Sequence, residues 1–263
     1  MGKNVRRYVL IAAIAVLCML PQKILAQNTE YDLNQNKTVT IAQKDSYADS
    51  GNYTWLKYTP KADGRLTITL SDPEYAAQNA KGYIALYNGT KTRILSSKSI
   101  FYNTQNRNHA FWNEIAFGLQ KGQSYYIRIK GDSGVKITRA FSKIKNKAGS
   151  LKSRAVTIKK NKFKSGIIPA GASTADWYKV KLTKKQKIRI YYNIKSRGTF
   201  KISFYSGSQL YASQNVSYTA KQKKFTIYLE VSQKQTGLQP GVYYIKIERA
   251  DSGSSGSYKI KWN

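Results

Sequence analysis

Residues 187–194 read KIRIYYNI, and every second residue belongs to a mainly apolar set while the residues between them form a mainly polar set. One set is Ile188, Ile190, Tyr192 and Ile194, and the other is Lys187, Arg189, Tyr191 and Asn193. Successive side chains of a β-strand point to opposite faces, so a period of two predicts one face in a core and the other toward water. This segment therefore predicts a half-buried antiparallel strand.

The same alternation recurs along the chain, for example over residues 200–204 and 225–231. Short turn signals separate such runs: Asp63-Gly64, Asn88-Gly89, Gly131-Asp132, Pro240-Gly241 and Ser252-Gly253. Short alternating runs with turns between them are typical of β-sandwiches. Since the sequence contains no long amphipathic helical pattern, we predict an all-β protein.

An internal repeat divides the chain. Three groups of residues recur in the same order at offsets of 117–122 residues. They are Val39-Thr40-Ile41 with Val156-Thr157-Ile158, Trp55–Tyr58 with Trp177–Val180, and Gly118-Leu119-Gln120 plus Tyr125–Ile129 with Gly237-Leu238-Gln239 plus Tyr243–Ile247. Such an offset is a normal domain size. We predict two tandem antiparallel, jelly-roll-like β-sandwiches over residues 27–145 and 150–263, with Trp55 and Trp177 equivalent.

The second repeat resembles the bacterial pre-peptidase C-terminal domain, which is related to the collagen-binding modules of clostridial collagenases. The residues that carry the resemblance are Asp176–Leu182, Lys187–Ile194, Pro240–Ile247 and Gly256–Ile260. The first repeat matches more loosely. The resemblance implies a β-sandwich; its motifs are structural, so they imply no activity.

The N-terminal segment has the layout of a secretory signal. Lys3, Arg6 and Arg7 precede an apolar run from Tyr8 to Leu20, and the small residue Ala26 follows. About 20 apolar residues are needed to cross a bilayer, and this run is shorter. We therefore expect residues 1–26 to be removed, giving a secreted mature protein without a membrane span and without cysteine.

The charge of the mature chain is large and uneven. Residues 27–263 carry 41 basic and 13 acidic residues. Residues 27–149 hold 18 of the basic and nine of the acidic residues, whereas residues 150–263 hold 23 and four. A field of this sign attracts anionic polymers and surfaces. The alternative is that the lysines only keep the protein soluble.

Nucleophilic catalysis finds little support in the sequence. His109 is the only histidine, and Ser142 with Lys145 has a serine–lysine spacing without companion motifs. We therefore predict a non-enzyme. A pair of carboxylates could still act on a glycan, so a secreted hydrolase stays open as an alternative.

No cofactor is expected, and calcium is the one metal that the sequence leaves open. A single histidine and the absence of cysteine from the mature chain disfavour zinc. Asp45, Asp49 and Asn52 form the one dense cluster of oxygen ligands. The collagen-binding modules that the chain resembles use calcium near the start of the domain, where the second repeat offers Asp176.

The outward positions of the strands are the main candidate site. They are Trp177, Lys179, Lys181, Lys187, Arg189, Tyr191, Tyr244 and Lys246. Cations can hold anionic groups while aromatic rings pack on sugars. We predict adhesion to an extracellular anionic polymer or cell surface, such as a cell-wall polymer, acidic polysaccharide or matrix protein, with no dedicated nucleic-acid partner. A third hypothesis is a domain pair that assists a separately encoded secreted enzyme.

Overall fold

The computed structural model describes residues 29–41, 54–71, 81–101, 113–131, 135–231 and 234–263. The predicted signal segment lies outside these ranges. Strands account for nearly all of the regular structure, and a single-turn 3-10 helix, η1 (Lys152–Arg154), lies between the two repeats. The prediction of an all-β fold is confirmed. Within the ranges that the structure describes, no helix is long and apolar enough to cross a membrane.

Within the described ranges, the first sandwich contains nine strands. They are β1 (Thr29–Asp32), β2 (Thr38–Ile41), β3 (Thr54–Tyr58), β4 (Gly64–Ser71), β5 (Lys81–Tyr87), β6 (Ile94–Phe101), β7 (Asn113–Leu119), β8 (Tyr125–Gly131) and β9 (Val135–Lys143). They form a five-stranded sheet in the order β1-β3-β8-β5-β6 and a four-stranded sheet in the order β2-β9-β4-β7. All pairs are antiparallel except β1 with β3.

The second sandwich repeats this plan after η1. Its strands are β10 (Val156–Thr157), β11 (Lys164–Ile168), β12 (Ala175–Leu182), β13 (Ile188–Arg197), β14 (Phe200–Ser206), β15 (Gln209–Val216), β16 (Lys223–Ile227), β17 (Leu229–Val231), β18 (Lys234–Thr236), β19 (Gly241–Arg249) and β20 (Ser255–Trp262). The sheets run β10-β12-β19-β14-β15 and β11-β20-β13-β16. The hairpin β17–β18 is an insertion without a counterpart in the first sandwich.

Both sandwiches have the winding of a jelly roll. If the parallel first strand of each sandwich and the inserted hairpin β17–β18 are set aside and the remaining eight strands are renumbered, the two sheets run 1-8-3-6 and 2-7-4-5 in each sandwich. Consecutive strands therefore mostly cross from one sheet to the other. This arrangement lets the inward apolar set of every strand share one core.

The strand register defines which residues of the repeats correspond. Trp55 pairs with Arg128 as Trp177 pairs with Lys246, so the two tryptophans are equivalent. The Val-Thr-Ile match made from the sequence is wrong, because Val39–Ile41 lies in the four-stranded sheet whereas Val156-Thr157 lies in the five-stranded sheet. Ile158 corresponds instead to Leu33, and both backbone amides donate to the equivalent lysine carbonyl. Such β-branched tripeptides suit any strand, which is why the match misled.

Each sandwich encloses its own core. Leu56, Leu66 and Ile127 are fully buried in the first, and Val180, Ile190 and Ile245 in the second. The Gly-Leu-Gln motif matches in structure, because Leu119 and Leu238 are both core residues. In each repeat the glutamine backbone also bonds to a tyrosine hydroxyl: the Gln120 amide donates to Tyr125, and the Tyr243 hydroxyl donates to the Gln239 carbonyl.

The sandwiches dock tightly through β7. A Cβ on Gly118 would lie 2.4 Å from the carbonyl oxygen of Ile168, so the backbones approach too closely for a side chain there. The amide of Ala170 donates to the Gly118 carbonyl (2.8 Å), and Ala170 itself packs against the first core. Arg197 Nε donates to the carbonyl of Ser97 (2.9 Å). The two repeats therefore share a buried contact rather than a loose linker.

Candidate functional site

The predicted site residues fall on two opposite faces of the second sandwich. Trp177, Lys179, Lys181, Tyr244 and Lys246 lie together on the outer surface of the five-stranded sheet. Arg189 and Tyr191 lie on the outer surface of the four-stranded sheet. Lys187 precedes β13, and its Nζ lies 3.5 Å from Gln235 Oε1 on the inserted hairpin. The structure thus unites five of the eight residues and separates the other three from them.

We call the first of these surfaces the aromatic face, defined by Trp177, Tyr205 and Tyr244. Tyr244 pairs with Lys179 on one side and with Tyr205 on the other. The Trp177 and Tyr205 rings lie 5.7 Å apart and are tilted by 40°. All three rings are part-exposed. They can therefore contact a ligand as well as each other.

Cations surround these rings. Lys246 Nζ lies 5.6 Å from the centre of the Trp177 ring and forms an ion pair of 2.6 Å with Glu248. Lys152 Nζ lies 4.9 Å from the Tyr244 ring and 5.7 Å from the Tyr205 ring, and it donates to the Gly207 carbonyl. Rings and cations at these distances attract each other.

Sequence reasoning missed Lys152 because this residue reaches the face from outside the sheet. The backbone of Gly149 pairs with Trp177 at the edge of β12, with N–H···O distances of 2.7 and 3.0 Å. This pairing holds the segment that leads into η1 beside the sheet. The segment reads as a Lys-, Ser- and Gly-rich linker, and no pattern in it indicates the contact.

Ser203 forms the floor of the aromatic face. It occupies an outward position between Lys246 and Ser213, yet it is fully buried beneath the surrounding side chains. Its Oγ finds no hydrogen-bond partner in the part of the chain that the structure describes. The equivalent position of the first sandwich is Ala85, which is also fully buried.

We call the opposite surface the basic face, defined by Arg189, Lys195, Lys224, Lys259 and Lys261. Tyr191 pairs with Lys224 on one side and with Lys261 on the other. Lys261 Nζ lies 5.1 Å from the Tyr191 ring and 4.9 Å from the Phe163 ring. Cations and rings therefore alternate across the sheet.

None of the four acidic residues of the second repeat belongs to the basic face. Asp176 is buried, Glu230 lies on the inserted hairpin, Glu248 lies on the aromatic face, and Asp251 bonds to Ser254 in a turn. No carboxylate of the second repeat therefore lies among the five cations of the basic face, and Glu114 of the first sandwich lines a neighbouring cavity with Arg197 and Tyr218.

A polar network is buried at one end of the second core. The Tyr258 hydroxyl donates to Asp176 Oδ2 (2.5 Å), and the Tyr178 hydroxyl lies 2.8 Å from that of Tyr258. Asn146 Nδ2 donates to Asp176 Oδ1 (3.2 Å). Burial raises the pKa of the Asp176 carboxyl to about 6, although these two hydrogen bonds oppose the shift. The inward phase of Asp176 on β12 was the sequence signal for this network.

The predicted calcium ligands Asp45, Asp49 and Asn52 lie outside the described residues, as does His109. Across the ranges that the structure describes, no three His, Cys, Asp or Glu residues converge as a metal site. Both Asp176 oxygens accept hydrogen bonds in the network above. Ser142 Oγ accepts a hydrogen bond of 3.4 Å from Arg65 Nη2.

Comparison with known proteins adds only distant likenesses. No family model and no curated protein matches the chain. Solved structures that resemble it include tripeptidyl peptidase 2 (12% identity, TM-score 0.26, 89% of this chain and 24% of that chain). A protein from Eubacterium rectale named as secreted shares 9% identity (TM-score 0.27, 87% and 74% covered). The baseplate tripod of bacteriophage Tuc2009 shares 15% (TM-score 0.21, 41% and 93%).

The present chain spans about a quarter of the tripeptidyl peptidase 2 chain. At these TM-scores the likenesses carry no argument about activity or partners. The resemblance to pre-peptidase C-terminal domains remains a prediction from the sequence.

Proposed function

We propose that this chain is a secreted, non-catalytic binding protein for an extracellular anionic polymer. The observation that supports it best is the basic face, where five cations lie on one sheet surface with no carboxylate of the second repeat among them. Secretion rests on the signal-like N-terminal segment of the sequence.

The spacing of the cations suits a polymer better than a small ligand. Neighbouring strands lie about 4.8 Å apart, and alternate residues of one strand lie about 6.7 Å apart. Lys224, Lys259 and Lys261 therefore present charges at intervals of several ångströms on a flat surface. Several weak contacts made at once give a strong, salt-sensitive attachment.

Aromatic side chains add a second kind of contact. Tyr191 is part-exposed, and Phe163 is 48% exposed at the edge of the same face. A ring beside a cation can pack on the apolar side of a sugar while the cation holds its acidic substituent. The arrangement favours an acidic polysaccharide or a phosphate-containing cell-wall polymer.

Binding of the mature chain, residues 27–263, to immobilised cell walls and acidic polysaccharides tests the proposal. Changing Arg189, Lys224 and Lys261 together to glutamine should lower affinity about tenfold or more, because each charged contact contributes to attachment. Wild-type binding should also weaken as salt rises through about 0.1 M, where the screening length is about 10 Å.

The matched control removes three exposed lysines from the first sandwich, Lys37, Lys61 and Lys121. This control loses the same net charge but leaves the basic face intact. Equal losses in the two variants, or binding that ignores salt, would show that the charge only keeps the protein soluble.

A further inference from the structure

A groove of about 490 Å³ runs along the junction of the two sandwiches, beside the basic face. Arg65 lines it from the first sandwich, and Lys195 and Lys259 line it from the second. Asn193, Ser165 and Phe163 also line it. Among the described residues, no acidic side chain lines this groove.

The strand register brings the three cations together. Lys195 pairs with Ser257, and the adjacent outward pair on the same two strands is Asn193 with Lys259. Arg65 Nη1 donates to Ser257 Oγ (3.2 Å), which places the guanidinium beside the same two strands. Three cationic residues from two sandwiches thus line one stretch of β20, and the Lys195 ammonium also donates to the Tyr218 hydroxyl (2.7 Å).

The guanidinium of Arg65 is only partly satisfied. Its Nη atoms bond to the hydroxyls of Ser257 and Ser142, which are neutral acceptors at 3.2 and 3.4 Å. Its Nε is buried and finds no hydrogen-bond partner among the described residues. A buried N–H group without an acceptor is unfavourable, and the charge of this half-buried side chain meets only neutral hydroxyls within the described ranges.

We propose that this groove is a specific oxyanion site, in which Arg65, Lys195 and Lys259 hold one phosphate, sulfate or carboxylate group of the polymer. An arginine fork matches the geometry of such groups, and the two lysines add charge. Phe163 offers a surface for the adjoining sugar or polymer segment. The inference rests on the proposed function, and it adds that binding needs both sandwiches.

Two measurements separate this site from the basic face. The first is the affinity of the mature chain for an acidic polymer that it retains. Arg65→Gln should lower this affinity about tenfold, because a charge-assisted pair is lost. Lys121→Gln removes one exposed charge elsewhere and should change it less than about twofold. Lys259→Gln leaves the docking contacts intact and should lower the affinity about threefold or more. Because Lys259 belongs to both the groove and the basic face, only the Arg65→Gln result separates the two surfaces.

The second measurement uses inorganic phosphate alone. Titration at constant ionic strength should shift the Arg65 Nε–H signal in a ¹⁵N–¹H spectrum more than those of Arg139 and Arg189. Failure of wild type to bind any polymer would overturn the proposed function, whereas this titration would still report on the groove. If polymer binds but Arg65→Gln behaves like Lys121→Gln, the groove site is wrong and the basic face stands.

Discussion

The two sandwiches have the same winding but use their outer surfaces differently. In the first, the β7 edge of the four-stranded sheet presents Ala116 and Gly118 and is covered by the second sandwich. In the second, the equivalent sheet presents Lys224, Lys259 and Lys261. The small residues of the first surface allow close backbone contact, whereas the long cations of the second are spaced for solvent or a ligand.

The outer surfaces of the two five-stranded sheets also differ, and again the surface of the first sandwich is the more covered. Trp55, Tyr87 and Tyr126 occupy the positions of Trp177, Tyr205 and Tyr244. Trp55 and Tyr87 are 7% and 6% exposed, with ring centres 5.1 Å apart, whereas the rings of the second sandwich remain part-exposed. One structural motif thus serves as a closed outer cluster in one repeat and as an accessible surface in the other.

Replacing the equivalent tryptophans tests this difference most strongly. Trp55→Ala should lower the free energy of unfolding by about 3–5 kcal/mol, because a buried aromatic side chain is lost. Trp177→Ala should cost only about 1–2 kcal/mol, because the ring is already partly in water. Denaturant unfolding of both variants measures the two losses. Equal losses would mean that the two clusters are equally structural.

The buried ends of β3 and β12 offer a second comparison, because Asp176 takes the place of Thr54. The Asp176 pKa is about 6 when folded and 3.8 ordinarily, so the folded state binds the extra proton between these values. This group therefore stabilises the fold below about pH 4, and the stabilisation disappears as pH rises through 6. The free energy of unfolding therefore falls by about 3 kcal/mol as pH rises across this range.

Denaturant unfolding of wild type and Asp176→Asn between pH 4 and pH 7.5 isolates that contribution. Asparagine keeps an oxygen for the Tyr258 hydroxyl but carries no charge. The variant should lose stability relative to wild type as pH falls, because only wild type gains a proton on folding. A constant difference across this range would contradict the buried, protonatable carboxyl.

The cations over the rings give the smallest expected effect. Lys91 Nζ lies 4.4 Å from the Tyr126 ring and pairs with Glu30 at 2.7 Å, whereas Lys152 contacts Tyr244. Lys91→Gln and Lys152→Gln should each cost about 0.5 kcal/mol, since exposed cation–ring and ion pairs contribute little. A loss above about 2 kcal/mol for either variant, measured by denaturant unfolding, would show that the lysine holds the cluster together.

Local alternation predicted the strands and most of their outward residues well. Trp177, Lys179 and Tyr244 were predicted to point outward, because the period of a strand depends only on neighbouring residues. Their common surface comes from the pairing of β12 with β19. The same pattern could not assign Arg189 and Tyr191 to the opposite sheet. A strand has two faces by local geometry, but its sheet is chosen by pairing with distant strands.

The same distinction explains why the contacts of Arg65 and Lys152 were not predicted from the sequence. Arg65 lies on β4 and reaches Ser257 of the other sandwich, and Lys152 reaches Tyr244 from the segment between the repeats. Neither contact involves neighbouring residues. The Arg65 contact arises from docking of the sandwiches, which depends on the close approach at Gly118, and the Lys152 contact arises from the pairing of Gly149 with Trp177. Neither follows from the periodicity of a strand.

By itself, the amino-acid sequence determined the all-β class, the repeat, the equivalence of Trp55 and Trp177, and the excess of positive charge in the second half. These properties follow from composition and from the alternation of side chains along each strand. Only the tertiary structure decided that the candidate residues form two opposite faces and that Arg65 joins Lys195 and Lys259 at the junction. Those placements depend on strand pairing and on the close contact between sandwiches, and both bring together residues far apart in the chain.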